Sequence, residues 1–129
     1  MKVIGCGSTG EVYKGRYNDQ VVAVKKIKVK SHNNNTFKEF ERELTTLIRI
    51  KKHQNLVSLI AISKKQDEYY LLIDYCEGGN LFELLHRRTD LEMSWKIRIA
   101  IAKQIAVAMN FLHSSCQPQI IHRDLKSLK

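Results

Sequence analysis

The chain has 129 residues, of which 43% are hydrophobic and 27% are charged, and this composition excludes a disordered or low-complexity chain. Its net charge of +9 comes from 22 lysines and arginines against 13 acidic residues. The basic residues are dispersed, apart from those within residues 24–30 and 49–53, and no aromatic side chains interleave with them, which argues against a surface for single-stranded nucleic acid. No apolar run approaches the roughly 20 residues that a membrane-spanning helix needs.

The first part of the chain predicts a hairpin followed by a helix. Residues 11–17 and 21–29 are rich in valine and tyrosine, and the turn sequence Asn-Asp-Gln lies between them, which is typical of two antiparallel strands. Residues 31–36 are polar and predict a loop. After this loop, apolar residues recur at helical spacing: Phe37, Phe40, Leu44, Leu47 and Ile48.

The middle of the chain predicts two more strands and a short helix. Residues 55–63 and 68–75 are apolar enough for strands, and the sequence Glu-Gly-Gly-Asn ends the second one. Residues 80–88 predict a short helix, because Asn80, followed three residues later by Glu83, resembles a capping pair at a helix start.

A long predicted helix covers residues 94–114. Its polar residues Lys96, Lys103 and Asn110 form one narrow stripe, whereas nearly all other positions are apolar. A helix that is apolar on almost every side belongs inside a larger body, and little of the chain remains to cover it. We therefore expect the sequence to be part of a larger domain.

Residues 4–12, Ile-Gly-Cys-Gly-Ser-Thr-Gly-Glu-Val, place three glycines at the spacing G-x-G-x-x-G. Glycines at this spacing let backbone N–H groups approach phosphate oxygens, although the same pattern also occurs in a flexible turn. A dinucleotide-binding fold would continue into a helix with an acidic residue about 20 positions later. This chain continues into a strand and has no acidic residue between Asp19 and Glu39. The pattern therefore favours a glycine flap between two strands, lying over a nucleotide.

The strand that follows supplies a lysine for such a nucleotide. In Val-Ala-Val-Lys, residues 22–25, strand alternation places Ala23, Lys25 and Ile27 on one face. A small residue beside a lysine suits an adenine lying near a phosphate. Taken alone, Lys25 is also consistent with a surface lysine in a basic strand.

These stretches resemble the protein kinase family. The glycine-rich loop of that family is matched by Ile4, Gly5, Gly7, Gly10 and Val12. The resemblance implies that Lys25 holds the α- and β-phosphates of ATP, close to Ala23, and pairs with a glutamate on the next helix. Glu41 and Glu43 both flank the apolar stripe of that helix, so periodicity leaves the choice open, whereas the family pattern Phe-x-x-Glu selects Glu43.

Two further stretches carry the resemblance. Residues 53–57, His-Gln-Asn-Leu-Val, are similar to the turn after that helix, and residues 71–81 are similar to the segment that joins the two lobes of a kinase. The resemblance implies a gatekeeper behind the adenine, two backbone contacts with the adenine edge and a carboxylate at the ribose hydroxyls. These are, in that order, Ile73, then Asp74 and Cys76, then Glu83.

The sequence His-Arg-Asp at residues 122–124 resembles the kinase catalytic loop. The resemblance implies that Asp124 orients the substrate hydroxyl and accepts its proton, and that Lys126 steadies the γ-phosphate. A lysine two positions after the aspartate is typical of Ser/Thr kinases, and the wider sequence resembles the tyrosine-kinase-like group. Position 129 holds lysine where the family has a Mg²⁺-binding asparagine, and the sequence contains no Asp-Phe-Gly, so we expect this stretch alone to be inactive.

The resemblance covers the amino-terminal part of a kinase domain and implies an α+β fold. We expect a small lobe at residues 1–73, with a five-stranded antiparallel sheet and one regulatory helix. A hinge at 74–79 and the first helices of the large lobe at 80–129 would follow. The cofactors implied are ATP and, in a longer parent protein, Mg²⁺, for which this sequence offers no ligand set. The partner implied is a protein substrate.

Two other interpretations stay open. A non-catalytic binding module, acting as a decoy that docks the partners of a kinase, would bind nucleotide weakly without metal and stay monomeric. A basic nucleic-acid-binding protein would show strongly salt-dependent binding to DNA or RNA, and we favour it least. The three scattered cysteines, Cys6, Cys76 and Cys116, show no metal-ligand spacing and fit a reducing cytoplasm.

Overall fold

The computed structural model describes residues 2–7, 10–28, 34–50, 52–87 and 93–127. Within these ranges the chain forms a set of strands followed by helices, with one helix inserted before the fourth strand. The strands are β1 (Lys2–Gly7), β2 (Gly10–Tyr17), β3 (Gln20–Lys28), β4 (Leu59–Lys65) and β5 (Glu68–Asp74). The helices are α1 (Asn34–Arg49), α2 (Leu81–His86) and α3 (Trp95–Ser114).

The strands form one antiparallel sheet of five strands in the order β1-β2-β3-β5-β4. The predicted hairpin of β2 and β3 is present, with Tyr17 opposite Gln20 at its end. Asn18 and Asp19 form its turn with φ angles of 46° and 61°. Asparagine and aspartate tolerate this left-handed conformation better than most residues do. The expected α+β fold with a five-stranded antiparallel sheet is therefore confirmed.

The main hydrophobic core lies between α1 and one face of the sheet. Its centre is formed by Ile27, Phe40 and Leu71, which are 2%, 4% and 0% exposed. Four partly buried side chains pack against them: Leu44, Leu47, Leu59 and Tyr69. Burial of a large apolar side chain contributes about 1.5–3 kcal/mol. These contacts therefore fix α1 on the sheet.

The start of α1 differs from the sequence prediction. The helix begins at Asn34, inside the segment that was predicted to be a loop. Asparagine and threonine suit a helix start, where the backbone N–H groups have no partner inside the helix and polar side chains are tolerated. The prediction of a loop is therefore wrong for residues 34–36, and residues 31–33 lie outside the described part of the chain.

The two later helices each begin after a polar side chain that accepts a backbone hydrogen bond. Asn80 Oδ1 accepts a hydrogen bond from the N–H of Glu83 at 2.9 Å, and the predicted capping role of Asn80 is confirmed. Ser94 Oγ accepts a hydrogen bond from the N–H of Ile97 at 3.4 Å at the start of α3. Such caps satisfy donors that would otherwise lack a partner in the helix.

Much of the apolar surface of α3 is exposed. Ala108 and Leu112 are buried, whereas Trp95 is 79% and Ile99 65% exposed. A patch of this kind is prone to association in solution.

Among the helices in the described ranges, none combines the length and the apolar character that crossing a bilayer requires.

The chain divides into two compact units. The first unit contains residues 1–52 and 57–75, and hence the sheet and α1. The second unit contains residues 53–56 and 76–129, and hence α2 and α3. The lobe and hinge limits expected from the sequence, at residues 73 and 79, stay predictions.

The turn at residues 53–56 is held on α3 within the second unit. The ring of His53 stacks on that of Phe111 with centroids 4.6 Å apart. Asn55 Nδ2 donates a hydrogen bond to a backbone carbonyl of α3 at 3.2 Å. Because this turn packs on a helix, β4 begins only at Leu59, and the prediction of a strand from residue 55 is wrong.

A polar network lies on the sheet face opposite α1. Glu68 accepts hydrogen bonds from Lys26 Nζ at 2.9 Å and from Tyr70 Oη at 2.6 Å. The hydrogen bond from Tyr70, and after it that from Lys26, lowers the pKa of Glu68 below its ordinary value of 4.5. The same bonds to Glu68 raise the pKa of Lys26 and of Tyr70.

This network should make stability fall in acid. Because the pKa of Glu68 is lower in the folded than in the unfolded chain, its contribution is present above pH 4.5 and is lost as the pH falls through the folded pKa. We expect Glu68→Gln to lower Tm at neutral pH and the difference from wild type to shrink on acidification. Circular dichroism melts between about pH 7 and about pH 3 measure this. Tyr70→Phe, which removes only the hydroxyl, should behave in the same way, whereas parallel acid profiles for the three proteins would contradict the prediction.

Candidate functional site

The turn between β1 and β2 carries the three glycines. Gly5 lies opposite Val12 and Gly7 opposite Gly10, while residues 8 and 9 lie outside the described part of the chain. Gly10 has a φ of +149°, and a Cβ at this position would collide with the carbonyl oxygen of Lys26. Only glycine fits there without a shift of the backbone, so the turn brings bare main chain close to β3.

Strand pairing brings four of the predicted nucleotide-site residues onto one face of the sheet. Val12 lies opposite Lys25, and Ala23 lies opposite Ile73. Ala23 and Lys25 share a face because they alternate along β3. Ile4, at the register shift in β1, is 42% exposed. The result is an apolar surface that carries the ammonium group of Lys25.

Helix α1 brings one carboxylate to this ammonium group. Lys25 Nζ lies 2.6 Å from Glu43 Oε1, and the two side chains are 20% and 32% exposed. Because Phe40, three residues earlier on α1, is buried in the core, the helix is fixed with Glu43 turned toward β3. Glu41 is exposed on the outer side of α1. Packing therefore distinguishes the two glutamates where helical periodicity could not.

The two residues at and just after the end of β5, Asp74 and Tyr75, each contact a residue from another part of the sheet. The N–H of Asp74 donates to the carbonyl of Ser58 at 3.2 Å, and the N–H of Ser58 donates to Asp74 Oδ2 at 2.8 Å. The ring of Tyr75 has Lys14 Nζ 4.5 Å from its centroid. Lys14 lies opposite Ala23 and so shares the face of the predicted nucleotide site.

These contacts were not predicted from the sequence. The alternation of side chains along β2 places Lys14 on the same face as Val12, and from this pattern the location of Lys14 on the nucleotide face could have been predicted. Ser58 acts through its main chain, for which a sequence carries no residue-specific signal. The prediction considered the backbone of Asp74 alone, whereas its carboxylate also has a partner.

In the second unit, Cys76 and Glu83 lie before and within α2. Cys76 has an exposed thiol, and its carbonyl accepts a hydrogen bond from the N–H of Gly79 at 3.4 Å. Glu83 Oε1 lies 3.9 Å from a guanidinium nitrogen of Arg87, and the Glu83 side chain is 45% exposed. An exposed pair at this distance contributes little to stability. The predicted roles of Cys76 and Glu83 at a nucleotide stay predictions.

The segment at residues 120–127 is anchored at both ends. The N–H of Ile120 donates to the carbonyl of Leu112, near the end of α3, at 3.0 Å. The carbonyl of Ser127 accepts a hydrogen bond from the N–H of Phe82, in α2, at 2.8 Å. The segment therefore has a defined path although it contains no regular secondary structure.

Two of the predicted catalytic residues, Asp124 and Lys126, lie between these anchors. Asp124 Oδ1 is 3.0 Å from Lys126 Nζ, and both side chains are about half exposed, at 49% and 50%. The N–H of Asp124 donates to His122 Nδ1 at 3.3 Å. Arg123 has a φ of +61°. A left-handed conformation at a residue other than glycine costs about 1–3 kcal/mol and is found preferentially at functional sites.

The described residues do not fit a magnesium ion. Within these ranges no three His, Cys, Asp or Glu side chains form a group that could hold a metal. Asp124 Oδ1 lies 3.0 Å from the ammonium group of Lys126. Lys129, at the position where the kinase family has a Mg²⁺-binding asparagine, lies outside the described part of the chain, and an ammonium group cannot coordinate a cation.

Comparison with known protein families agrees with the geometry. The protein kinase domain family matches residues 1–128 of the chain. The chain belongs to the protein kinase family. The match begins at residue 1, before the glycine turn, and ends at residue 128, after the segment of Asp124, so the kinase sequence present here is the amino-terminal part of the catalytic domain.

Similar kinases include receptor kinases of plants. The LRR receptor-like serine/threonine-protein kinase ERECTA of Arabidopsis thaliana is 43% identical over 127 residues, which are 97% of this chain and 13% of ERECTA. The brassinosteroid LRR receptor kinase BRI1 of Oryza sativa subsp. japonica is 41% identical over 127 residues, 96% of this chain and 11% of that protein. The systemin receptor SR160 of Solanum peruvianum is 39% identical over 128 residues, 97% of this chain and 10% of the receptor. The chain thus spans between 10% and 13% of the length of these three proteins.

Proposed function

We propose that the chain is the ATP-binding part of a protein kinase that transfers the γ-phosphate of ATP to serine or threonine residues of proteins. The observation that carries this proposal is the 2.6 Å contact between Lys25 Nζ and Glu43 Oε1, on a strand next to the glycine turn. The choice of serine and threonine is supported by Lys126 and by the names of the similar serine/threonine kinases.

On this proposal, the sheet face binds the nucleotide. The apolar side chains of Val12, Ala23 and Ile73 suit the adenine. Because the N–H of Asp74 donates to Ser58, the main-chain group of Asp74 that we assign to the adenine edge is its carbonyl. The ammonium group of Lys25 neutralises charge on the phosphates. Because Glu43 already holds this group in place, little reorganisation is needed when the phosphates arrive.

The second unit supplies the groups for phosphoryl transfer. Asp124 orients the substrate hydroxyl and accepts its proton while the hydroxyl oxygen bonds to the γ-phosphorus. The bond from the γ-phosphorus to the β-phosphate oxygen breaks, and ADP leaves with that electron pair. Lys126, whose Nζ lies 3.0 Å from Asp124 Oδ1, would steady the transferring phosphoryl group. Alignment of this kind supplies most of the protein's contribution to the rate.

We further propose that the 129-residue polypeptide, studied alone, binds nucleotide but transfers little phosphate. The described carboxylates do not form a magnesium site, and Mg²⁺ supplies much of the charge stabilisation in phosphoryl transfer. The same observation favours the second candidate, a non-catalytic binding module. Free thiols at Cys6, Cys76 and Cys116 support a cytoplasmic setting for either function.

A transfer assay tests this proposal. We expect the purified chain to bind ATP in calorimetric titrations and to transfer no more radiolabelled phosphate to a generic protein substrate, with Mg²⁺ present, than its Asp124→Asn variant does. Transfer above this control would contradict the proposed inactivity, and a failure to bind ATP would contradict the nucleotide site. A stable monomer in size-exclusion chromatography, with metal-independent ATP binding, would favour the binding module.

A further inference from the structure

The end of β5 carries two side-chain contacts for which the proposed function gives no role. We propose that Asp74 and Lys14 are positioning residues of the nucleotide site, whose side chains hold the main chain of residues 74 and 75 in place for the adenine edge. This inference rests on the proposed ATP site. It adds that adenine affinity depends on two side chains that do not have to touch the nucleotide.

The first contact joins Asp74 to the strand beside it. The last paired residues of the β4–β5 ladder are Leu59 and Ile73. Beyond them, Asp74 and Ser58 exchange two hydrogen bonds, one between main-chain atoms at 3.2 Å and one from the Ser58 N–H to Asp74 Oδ2 at 2.8 Å. A hydrogen bond to a carboxylate is stronger than one between neutral groups. The carboxylate therefore extends the ladder by one residue and fixes the end of β5.

The second contact joins the next residue to β2. Lys14 Nζ lies 4.5 Å from the centroid of the Tyr75 ring, within the roughly 6 Å over which a cation is attracted to an aromatic face. Lys14 pairs with Ala23, which pairs in turn with Ile73, so these residues form one row across three strands. The side chain of Lys14 therefore links β2 to the residue that follows β5.

The two contacts reach adjacent residues from different strands. Asp74 is held by Ser58, the residue that immediately precedes β4, and Tyr75 is held by Lys14 on β2. In the sheet order β1-β2-β3-β5-β4, these strands lie on opposite sides of the pair formed by β3 and β5. The main chain at this point is therefore restrained from both directions. Backbone groups that recognise a ligand must be held to within a fraction of an ångström, so loss of either restraint should weaken recognition of the base.

A competing role for Lys14 is direct attraction of phosphate. Its ammonium group lies on the face that also carries Lys25, and a second cation there would strengthen binding of any phosphorylated ligand. The two roles differ in the ligand they affect. A restraint on residues 74 and 75 acts on adenosine and ATP alike, whereas an attraction for phosphate acts on ATP and leaves adenosine unchanged.

Calorimetric titration of the 129-residue chain with adenosine and with ATP separates these roles. We expect Asp74→Ala and Lys14→Met each to raise the Kd of both ligands about five- to tenfold. Asp74→Asn keeps an oxygen that accepts from Ser58, and Lys14→Arg keeps a cation over the ring, so both should restore most of the affinity. Arg16→Met is the matched control, because Arg16 is an exposed cation two residues further along β2 and should leave both constants unchanged.

A double-mutant cycle tests the contact itself. Tyr75→Leu should weaken adenosine binding as Lys14→Met does, and the variant carrying both changes should bind no more weakly than the weaker single variant, because both changes remove one interaction. Additive losses in adenosine affinity would overturn the pairing. Thermal unfolding curves show whether each protein is folded at the titration temperature. If the Asp74→Ala protein is unfolded there, the double-mutant cycle at positions 14 and 75 tests the inference instead.

The remaining outcomes keep the two proposals distinguishable. If wild type binds adenosine and the Asp74 and Lys14 variants bind it equally well, this inference is overturned and the nucleotide site stands. If only ATP affinity falls, Lys14 acts on phosphate and the positioning role is overturned. If wild type binds neither ligand, the proposed function fails and this inference fails with it.

Discussion

Lys25→Met should weaken ATP binding by about ten- to a hundredfold, because a charge-assisted hydrogen bond of this kind contributes about 1.5–3 kcal/mol. Methionine is similar in length but has no charge. The carboxylate of Glu43, which lies 2.6 Å from the ammonium group in the wild type, would then face the phosphates without its counter-ion. Calorimetric titration with ATP and with adenosine measures the effect. Adenosine lacks phosphates, so its Kd should change less than about twofold.

Two control proteins accompany the Lys25→Met variant: one is changed elsewhere on β3, and the other at both residues of the Lys25–Glu43 pair. Lys28→Met removes an exposed cation from the end of β3 and should leave ATP binding unchanged. The double variant Lys25→Glu with Glu43→Lys keeps both charges and should retain part of the stability that the pair confers. Because its ammonium group lies on α1 instead of β3, it should bind ATP more weakly than the wild type. Wild-type ATP affinity in the exchanged protein would refute the assignment of Lys25.

Gly10→Ala should lower the free energy of unfolding by about 2–4 kcal/mol. Gly10 has a φ of +149°, which alanine rarely adopts, and its Cβ would collide with the carbonyl oxygen of Lys26 in β3. The partner is backbone in the middle of the sheet and cannot move aside without breaking strand pairing. Chemical denaturation monitored by circular dichroism measures the change.

Gly78→Ala is the control for the loss of a glycine. A Cβ at Gly78 would have no neighbour within 4 Å, so this change should alter stability by less than about 0.5 kcal/mol. Equal stability of the Gly10→Ala and Gly78→Ala proteins would show that the close approach of the glycine turn to β3 is not maintained in solution.

Much of the fold could be predicted because its signals are local. The hairpin of β2 and β3 follows from two valine-rich runs around a turn, and the start of α2 follows from the side chain of Asn80. The predictions that were wrong include residues whose backbone conformation depends on packing against a distant part of the chain. The strand predicted from residue 55 begins at Leu59 because the preceding turn packs on α3, and no local pattern records that contact.

The candidate site divides in the same way. The glycine turn and Lys25 could be identified from spacing and strand alternation. In the sequence, the choice between Glu41 and Glu43 needed the resemblance to a family, because both residues flank the apolar stripe of the helix. In the structure, the burial of Phe40 orients α1 so that Glu43 faces β3. The contact between Lys14 and Tyr75 depends on strand register and on the direction of a long side chain, which sequence patterns do not specify.

The assignment of residues 53–56 to the second unit has a consequence for dividing the protein into fragments. In the chain these four residues lie between two stretches of the first unit, yet His53 and Asn55 contact α3 of the second unit. A recombinant polypeptide that stops at residue 75 would contain every residue of the first unit, but it would expose a histidine ring and an amide that have lost their helix. Such a fragment therefore needs a short polar replacement for residues 53–56.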